Sequence, residues 1–156
     1  MIIQPNPLDL NSSWTTFYRS GGSTTQWKLW TKPANCSWIY IFMIGAGGGR
    51  GKGAGGAATV ASGGGGSGGC ARMIIPAATF PSKLYINLAA GGNGATTSCN
   101  GSAGGTSYIC FQPSTSKAID IFLTVPGGSG GAGAGAATAG TAASVPTSNW
   151  GLGLCV

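Results

Sequence analysis

Glycine limits what this chain can fold into, through where it stands more than through its amount. There are 31 glycines in 156 residues, gathered into blocks at 45–56, 63–69, 91–94, 101–105 and 127–140. Short apolar runs separate the blocks: Trp38-Ile-Tyr-Ile-Phe-Met-Ile44, Leu84-Tyr-Ile-Asn-Leu88, Ser107-Tyr-Ile-Cys-Phe111 and Ile119-Asp-Ile-Phe-Leu-Thr-Val125. The apolar runs can build a β core. The glycine blocks have no side chains to bury, so something other than a hydrophobic core must order them. A two-phase chain of this kind points to a structural or recognition protein.

Helix is nearly excluded, because glycine or proline interrupts every apolar window of helical period. Strand signals are plentiful between turn formers. They fall at 15–18, 26–31, 38–44, 72–75, 83–88, 106–111 and 119–125. The run 38–44 is apolar on both faces, which predicts a central strand. In 83–88, Leu84, Ile86 and Leu88 alternate with Tyr85 and Asn87, which predicts a strand exposed on one side. Pro33, Pro76, Pro81, Pro113 and Pro126 fall at strand ends, where a missing N–H is tolerated.

Two readings of the glycine blocks compete. Glycine tracts are commonly flexible linkers. These tracts recur within one domain, however, and each returns to a strand, so several loose loops would burden a small core with closure entropy. The favoured reading is that the blocks order one another. Glycine can adopt the extended threefold polyproline-II geometry, and chains without side chains can approach closely enough to hydrogen-bond. The expected fold is all-β: a small β-sandwich or jelly-roll-like scaffold with glycine-rich loops packed as polyglycine-II-like strands. One domain of 1–156 is expected, with an N-terminal segment 1–26, a glycine-rich β domain 27–137 and a C-terminal tail 138–156.

Charged residues make up only 6% of the chain, against roughly a quarter in an ordinary soluble domain. Low charge with five Trp, five Phe and four Tyr argues for packing and against disorder. There is no His and no Glu, and the acids are Asp9 and Asp120 alone. General acid–base catalysis needs a group poised near neutral pH, and metal centres usually need His or carboxylate clusters. No catalysis, cofactor or metal is therefore expected. Gly51-Lys-Gly53-Ala-Gly-Gly56 satisfies G-x-G-x-x-G, but it neither follows a strand directly nor opens a helix. A P-loop fails because Ala46 and Gly53 stand where Gly and Ser or Thr are required.

The net charge is +6, from Arg19, Lys28, Lys32, Arg50, Lys52, Arg72, Lys83 and Lys117. These are scattered, whereas a nucleic-acid binder concentrates them. Only Arg50 and Lys52 stand close together, inside a glycine block, and they are the candidate receptor-contact residues; simple solubility is the competing role. Cys36, Cys70, Cys99, Cys110 and Cys155 show no CxxC spacing and are odd in number. Small buried hydrophobes are the favoured reading of them. The start, Met1-Ile-Ile-Gln-Pro-Asn-Pro, lacks the basic and apolar regions of a signal peptide. No window reaches the roughly 20 apolar residues of a membrane helix. Synthesis in the cytoplasm is expected, with any surface location reached by assembly into a larger particle.

Trp30-Thr-Lys-Pro33, a short gap, the run 38–44 and then Gly45-Ala-Gly-Gly-Gly49 resemble the opening of the glycine-rich domain of phage tail-fibre and adhesin proteins. The later order is similar too: a glycine block at 63–69, the run 83–88, Ala89-Ala-Gly-Gly-Asn-Gly94, Gly104-Gly-Thr-Ser107 and a last block at 127–135. The likeness covers 27–137. Where that family has glycine after the proline, this chain has Ala34-Asn35, and Asn can supply the positive φ. Ala90 replaces another family glycine. The resemblance implies a virion protein with a β scaffold and a polyglycine-type bundle, presenting loops to a bacterial receptor. Expected partners are other virion proteins, a bacterial surface receptor and further copies of the chain, with a trimer as the working stoichiometry; no nucleic acid and no membrane insertion are expected. Two roles remain open: a receptor-binding tail-fibre or spike module, or a capsid spike, vertex or decoration protein of purely structural role.

Overall fold

The structure, a computed structural model, describes residues 15–19, 27–53, 61–97, 99–114, 120–133 and 138–148. Among them the chain forms β1 (Trp27–Thr31), β2 (Trp38–Ile44), β3 (Cys70–Pro76), β4 (Lys83–Asn87), β5 (Ser107–Cys110), β6 (Ile121–Val125) and β7 (Thr147–Ser148). A 3-10 turn spans Ala77–Thr79, and Asp120 also has 3-10 conformation just before β6. The fold is all-β, as glycine and proline dictate. Five strands make an antiparallel sheet in the order β1-β4-β5-β6-β7, and β2 and β3 make a second antiparallel sheet.

The inward residues of both sheets form one core. Strand alternation sends Ile39, Ile41 and Met43 of β2 and Ala71, Met73 and Ile75 of β3 to the same side. They meet Trp30, Leu84, Ile86, Ile109, Leu123 and Val125 of the five-stranded sheet. The register shifts between Ile109↔Leu123 and Cys110↔Ile121, leaving Phe122 as the extra residue of a bulge. The bulge lets consecutive Phe122 and Leu123 both be buried. Phe122 stacks edge-on to Phe80, with centroids 4.7 Å apart, and Phe111 completes an aromatic trio. Lys32 Nζ donates to the Ala77 and Phe80 carbonyls, each at 2.8 Å, and ties the end of β1 to the 3-10 turn. Asn35 has a φ of 60°, the positive value expected where the resembling family carries glycine.

Two strand expectations are corrected. Residues 15–18 form no strand; Phe17 packs against the core, and Arg19 Nη1 donates to Leu88 O at 2.8 Å. β2 is not a central strand. It pairs with β3 alone, so its second apolar row faces outward instead of into another layer. β7 has two residues and gave no sequence signal. It lies in 138–148, the stretch set apart on sequence as part of the tail.

Candidate functional site: a glycine bundle and its far end

Each glycine block continues a strand hairpin. The links β2–β3, β4–β5 and β6–β7 each run out from the sandwich as one arm and return as another. The described arms are arm 1 (45–53) and arm 2 (61–69), arm 3 (89–95) and arm 4 (99–105), and arm 5 (126–133) and arm 6 (138–144). The first pair keeps the register of its strands. Gly45, Gly48 and Gly51 N–H donate to Gly69, Gly66 and Gly63 O at 2.7, 2.9 and 3.0 Å, in line with Ile44↔Cys70. Arms 3 and 4 likewise continue the register of β4 and β5, with Ser102 N–H on Asn93 O and Gly105 N–H on Ala90 O, both at 2.9 Å.

The spacing of these bonds changes the secondary structure. A strand returns to the same neighbour every second residue, whereas these arms return every third, the period of a polyproline-II-type helix. A threefold arm can bond neighbours in several directions. Arm 1 also donates to arm 4 through Gly49 to Ser102 O (2.8 Å) and Lys52 to Cys99 O (3.1 Å). It accepts from arm 3, Gly92 to Gly47 O and Ala95 to Arg50 O, and from arm 5, Gly128 to Ala46 O and Gly131 to Gly49 O, all at 2.9 Å. Arm 5 bonds arms 1, 2, 4 and 6. The six arms form two staggered rows, arms 3-1-2 above arms 4-5-6, and every neighbouring pair in that array is hydrogen-bonded. At about 3.1 Å per residue, arm 1 is roughly 25 Å long.

Glycine is needed here for space. Gly53 aside, none of the described glycines has a φ in the left-handed region. A Cβ on Gly48 or Gly51 would overlap the carbonyl of Ser129 or Ala132 in arm 5, and one on Gly130 would overlap the carbonyl of Gly101 in arm 4. Gly64 looks into open space, with no atom within 4 Å. Side chains stand where the threefold rows face outward, as at Arg50, Ser67 and Ser102, all exposed.

The far end of the bundle carries the two basic residues expected to act together. Arg50 and Lys52 are both exposed on arm 1 and both lean toward arm 3 and its turn, but they differ in state. Lys52 Nζ donates to Thr96 O at 2.8 Å and pins the first hairpin to the second. The Arg50 stem lies over Gly94, whose Cβ position is 3.4 Å from Arg50 Cγ, and its guanidinium has no hydrogen-bond partner among the described residues. Gly133 N–H donates to Asn100 Oδ1 at 2.9 Å and closes the third hairpin onto the second. Sequence reading missed Thr96 and Asn100. A signal that could have located the bundle is the i, i+3 spacing of glycines, 45/48/51, 63/66/69 and 127/130/133.

The cysteines divide. Cys110 is buried as expected; burial first, and then the nearby Asp120 carboxylate, push its thiol up from 9.0 to about 11. Cys36 is half-buried, with its thiol donating to Trp38 O at 3.1 Å. Cys70 and Cys99 are exposed, which corrects the buried reading for those two, because both sit on outward-facing positions. Cys155 lies outside the described residues. Among the described residues no His, Cys, Asp or Glu cluster could hold a metal ion, and no helix is long and apolar enough to cross a membrane.

No curated protein and no solved structure matches the chain. The family model described as "Glycine-rich domain" matches residues 20–152. That span takes in both sheets and all six arms, and the chain therefore belongs to this glycine-rich domain family.

Proposed function

We propose that the protein is a non-catalytic phage virion component, a receptor-binding tail-fibre or spike module that reads a bacterial surface with the far end of its glycine bundle. The observation that carries this reading is the exposed Arg50 guanidinium at the end of a cross-bonded stalk, with no hydrogen-bond partner among the described residues. A planar guanidinium suits carboxylate or phosphate groups of a bacterial surface. A stalk of hydrogen-bonded arms holds it in place at little further entropy cost. Lys52 acts mainly as a brace through Thr96. A capsid spike, vertex or decoration role draws support from a different feature, the exposed apolar face of β2 and β3, which suits packing against protein. The test is a double change, Arg50→Ala with Lys52→Ala, scored separately for particle assembly and host adsorption. Lost adsorption with normal assembly supports the recognition role. Unchanged adsorption removes these residues from the site and favours the capsid role.

A further inference from the structure

The outer face of the two-stranded sheet has no partner among the described residues. Alternation turns Trp38, Tyr40, Phe42 and Ile44 of β2 outward. They stand beside Pro76, Ile74, Arg72 and Cys70 of β3 in registered pairs. Trp38, Ile74 and Ile44 are 64%, 65% and 56% exposed. The one charge on the face is already engaged: Arg72 Nε donates to Tyr40 Oη at 2.9 Å, and the guanidinium carbon lies 5.8 Å from that ring's centroid. We infer that this face is a self-association surface, on which a second copy of the chain packs sheet on sheet about a two-fold axis parallel to the strands.

Charge, shape and area select a second copy. The face holds no carboxylate to attract a basic partner, and its single cation is tied to Tyr40, so an apolar occupant fits best. The two rows of the face are unlike, aromatic on β2 and aliphatic or cationic on β3. A two-fold axis along the strands lays each β2 row over the partner's β3 row. Trp38 then covers the partner's Pro76, Tyr40 covers the partner's Ile74, and Phe42 meets the partner's Arg72 as a cation–π pair. With aromatic side chains carrying about 150–250 Å² each, the face offers roughly 500–600 Å² per copy. Two copies bury about 1,000–1,200 Å², the low end for a specific interface, so a weak, reversible dimer is expected. Both bundles then point the same way. The dimer stands independently of what the far end of the bundle binds.

Sedimentation velocity on the full chain over roughly 1 µM to 1 mM tests this directly. The wild type should shift from one copy to two. Ile74→Lys, at a solvent-facing position, should weaken the association at least tenfold with an unchanged melting temperature, and Trp38→Lys should do the same. Leu29→Lys, adding the same charge at a 50% exposed site on β1, should leave the dimer intact. In a Cys99→Ser background, a bismaleimide spanning roughly 11 Å should join the copies at Cys70, as mapped by mass spectrometry. A wild type monomeric throughout, a trimer, or a dimer unaffected by both face variants would overturn the proposal. A dimer that cannot be joined at Cys70 would reject the axis.

Discussion

Gly130→Ala is the most informative single change. Gly130 lies in arm 5, and a Cβ there would overlap the Gly101 carbonyl, with Ser102 C also 3.0 Å away. Both neighbours are backbone, so no side chain can swing aside. Arm 4 must move off arm 5 by about an ångström or more. The bonds Gly101 N–H to Gly131 O (2.9 Å) and Gly104 N–H to Gly128 O (2.8 Å) would then be lost or badly stretched. Each bond whose buried groups are left unmade costs about 1–3 kcal/mol, so the change should cost roughly 2–6 kcal/mol. In a domain of this size, 1 kcal/mol moves the midpoint by about 2–4 °C, which gives a fall of roughly 4–24 °C. The control is Gly64→Ala, at open space and without a left-handed φ. It should be neutral or stabilising by about 0.4–1 kcal/mol, because alanine narrows the unfolded ensemble. Thermal melts followed by far-UV circular dichroism compare the two. A Gly130→Ala protein melting within about 2 °C of wild type would refute the close-packed bundle.

Other perturbations probe different layers. Ile41→Ala, in the core between the sheets, should cost about 2–5 kcal/mol, measured by urea unfolding. At pH 8, maleimide should label Cys70 and Cys99 in the folded protein and Cys110 only after unfolding, as read by intact mass. The raised Cys110 value also sets a pH window. The neutral thiol favours the folded state below pH 9.0, and that contribution should fade as pH rises from 9.0 through about 11; the Cys110→Ala variant should show a flatter melting profile across that range. Lys52→Ala should remove the Thr96 brace at a cost of at most about 1 kcal/mol, since the group is exposed, with faster amide exchange at the arm 3 turn as the more sensitive reading.

Much of the sandwich was readable from alternation and punctuation. The run 38–44 became β2 with the expected bounds, and 83–88 became β4 one residue shorter. The errors share one cause. Local pattern reports which residues suit a strand but not how many neighbours the strand has. Two-sided apolar character therefore suggested a central position for β2, where its outer row is exposed instead. In the same way, 15–18 looked like a strand but finds no pairing edge, and β7 exists only because the third hairpin returns it to β6. Mutual ordering of the glycine blocks followed from an entropy argument. Which arms touch did not follow, because contacts between backbones leave no side-chain signature beyond the three-residue glycine spacing. Of the candidate site, the Arg50 and Lys52 pair was visible, but their division into a guanidinium without a partner among the described residues and a braced ammonium rests on Thr96, which is distant in sequence.

Amide hydrogen exchange resolved by NMR in the glycine blocks tests the bundle most directly. Bonded donors at Gly48, Gly51, Gly63, Gly66, Gly69, Gly128 and Gly131 should be strongly protected, while Gly47, Gly64 and Gly65, which donate no bond among the described residues, should exchange quickly. Protection would then follow a three-residue period along arms 1 and 2. Uniform exchange of all these amides at the rate of an unstructured peptide would contradict the bundle and return the glycine blocks to the status of linkers.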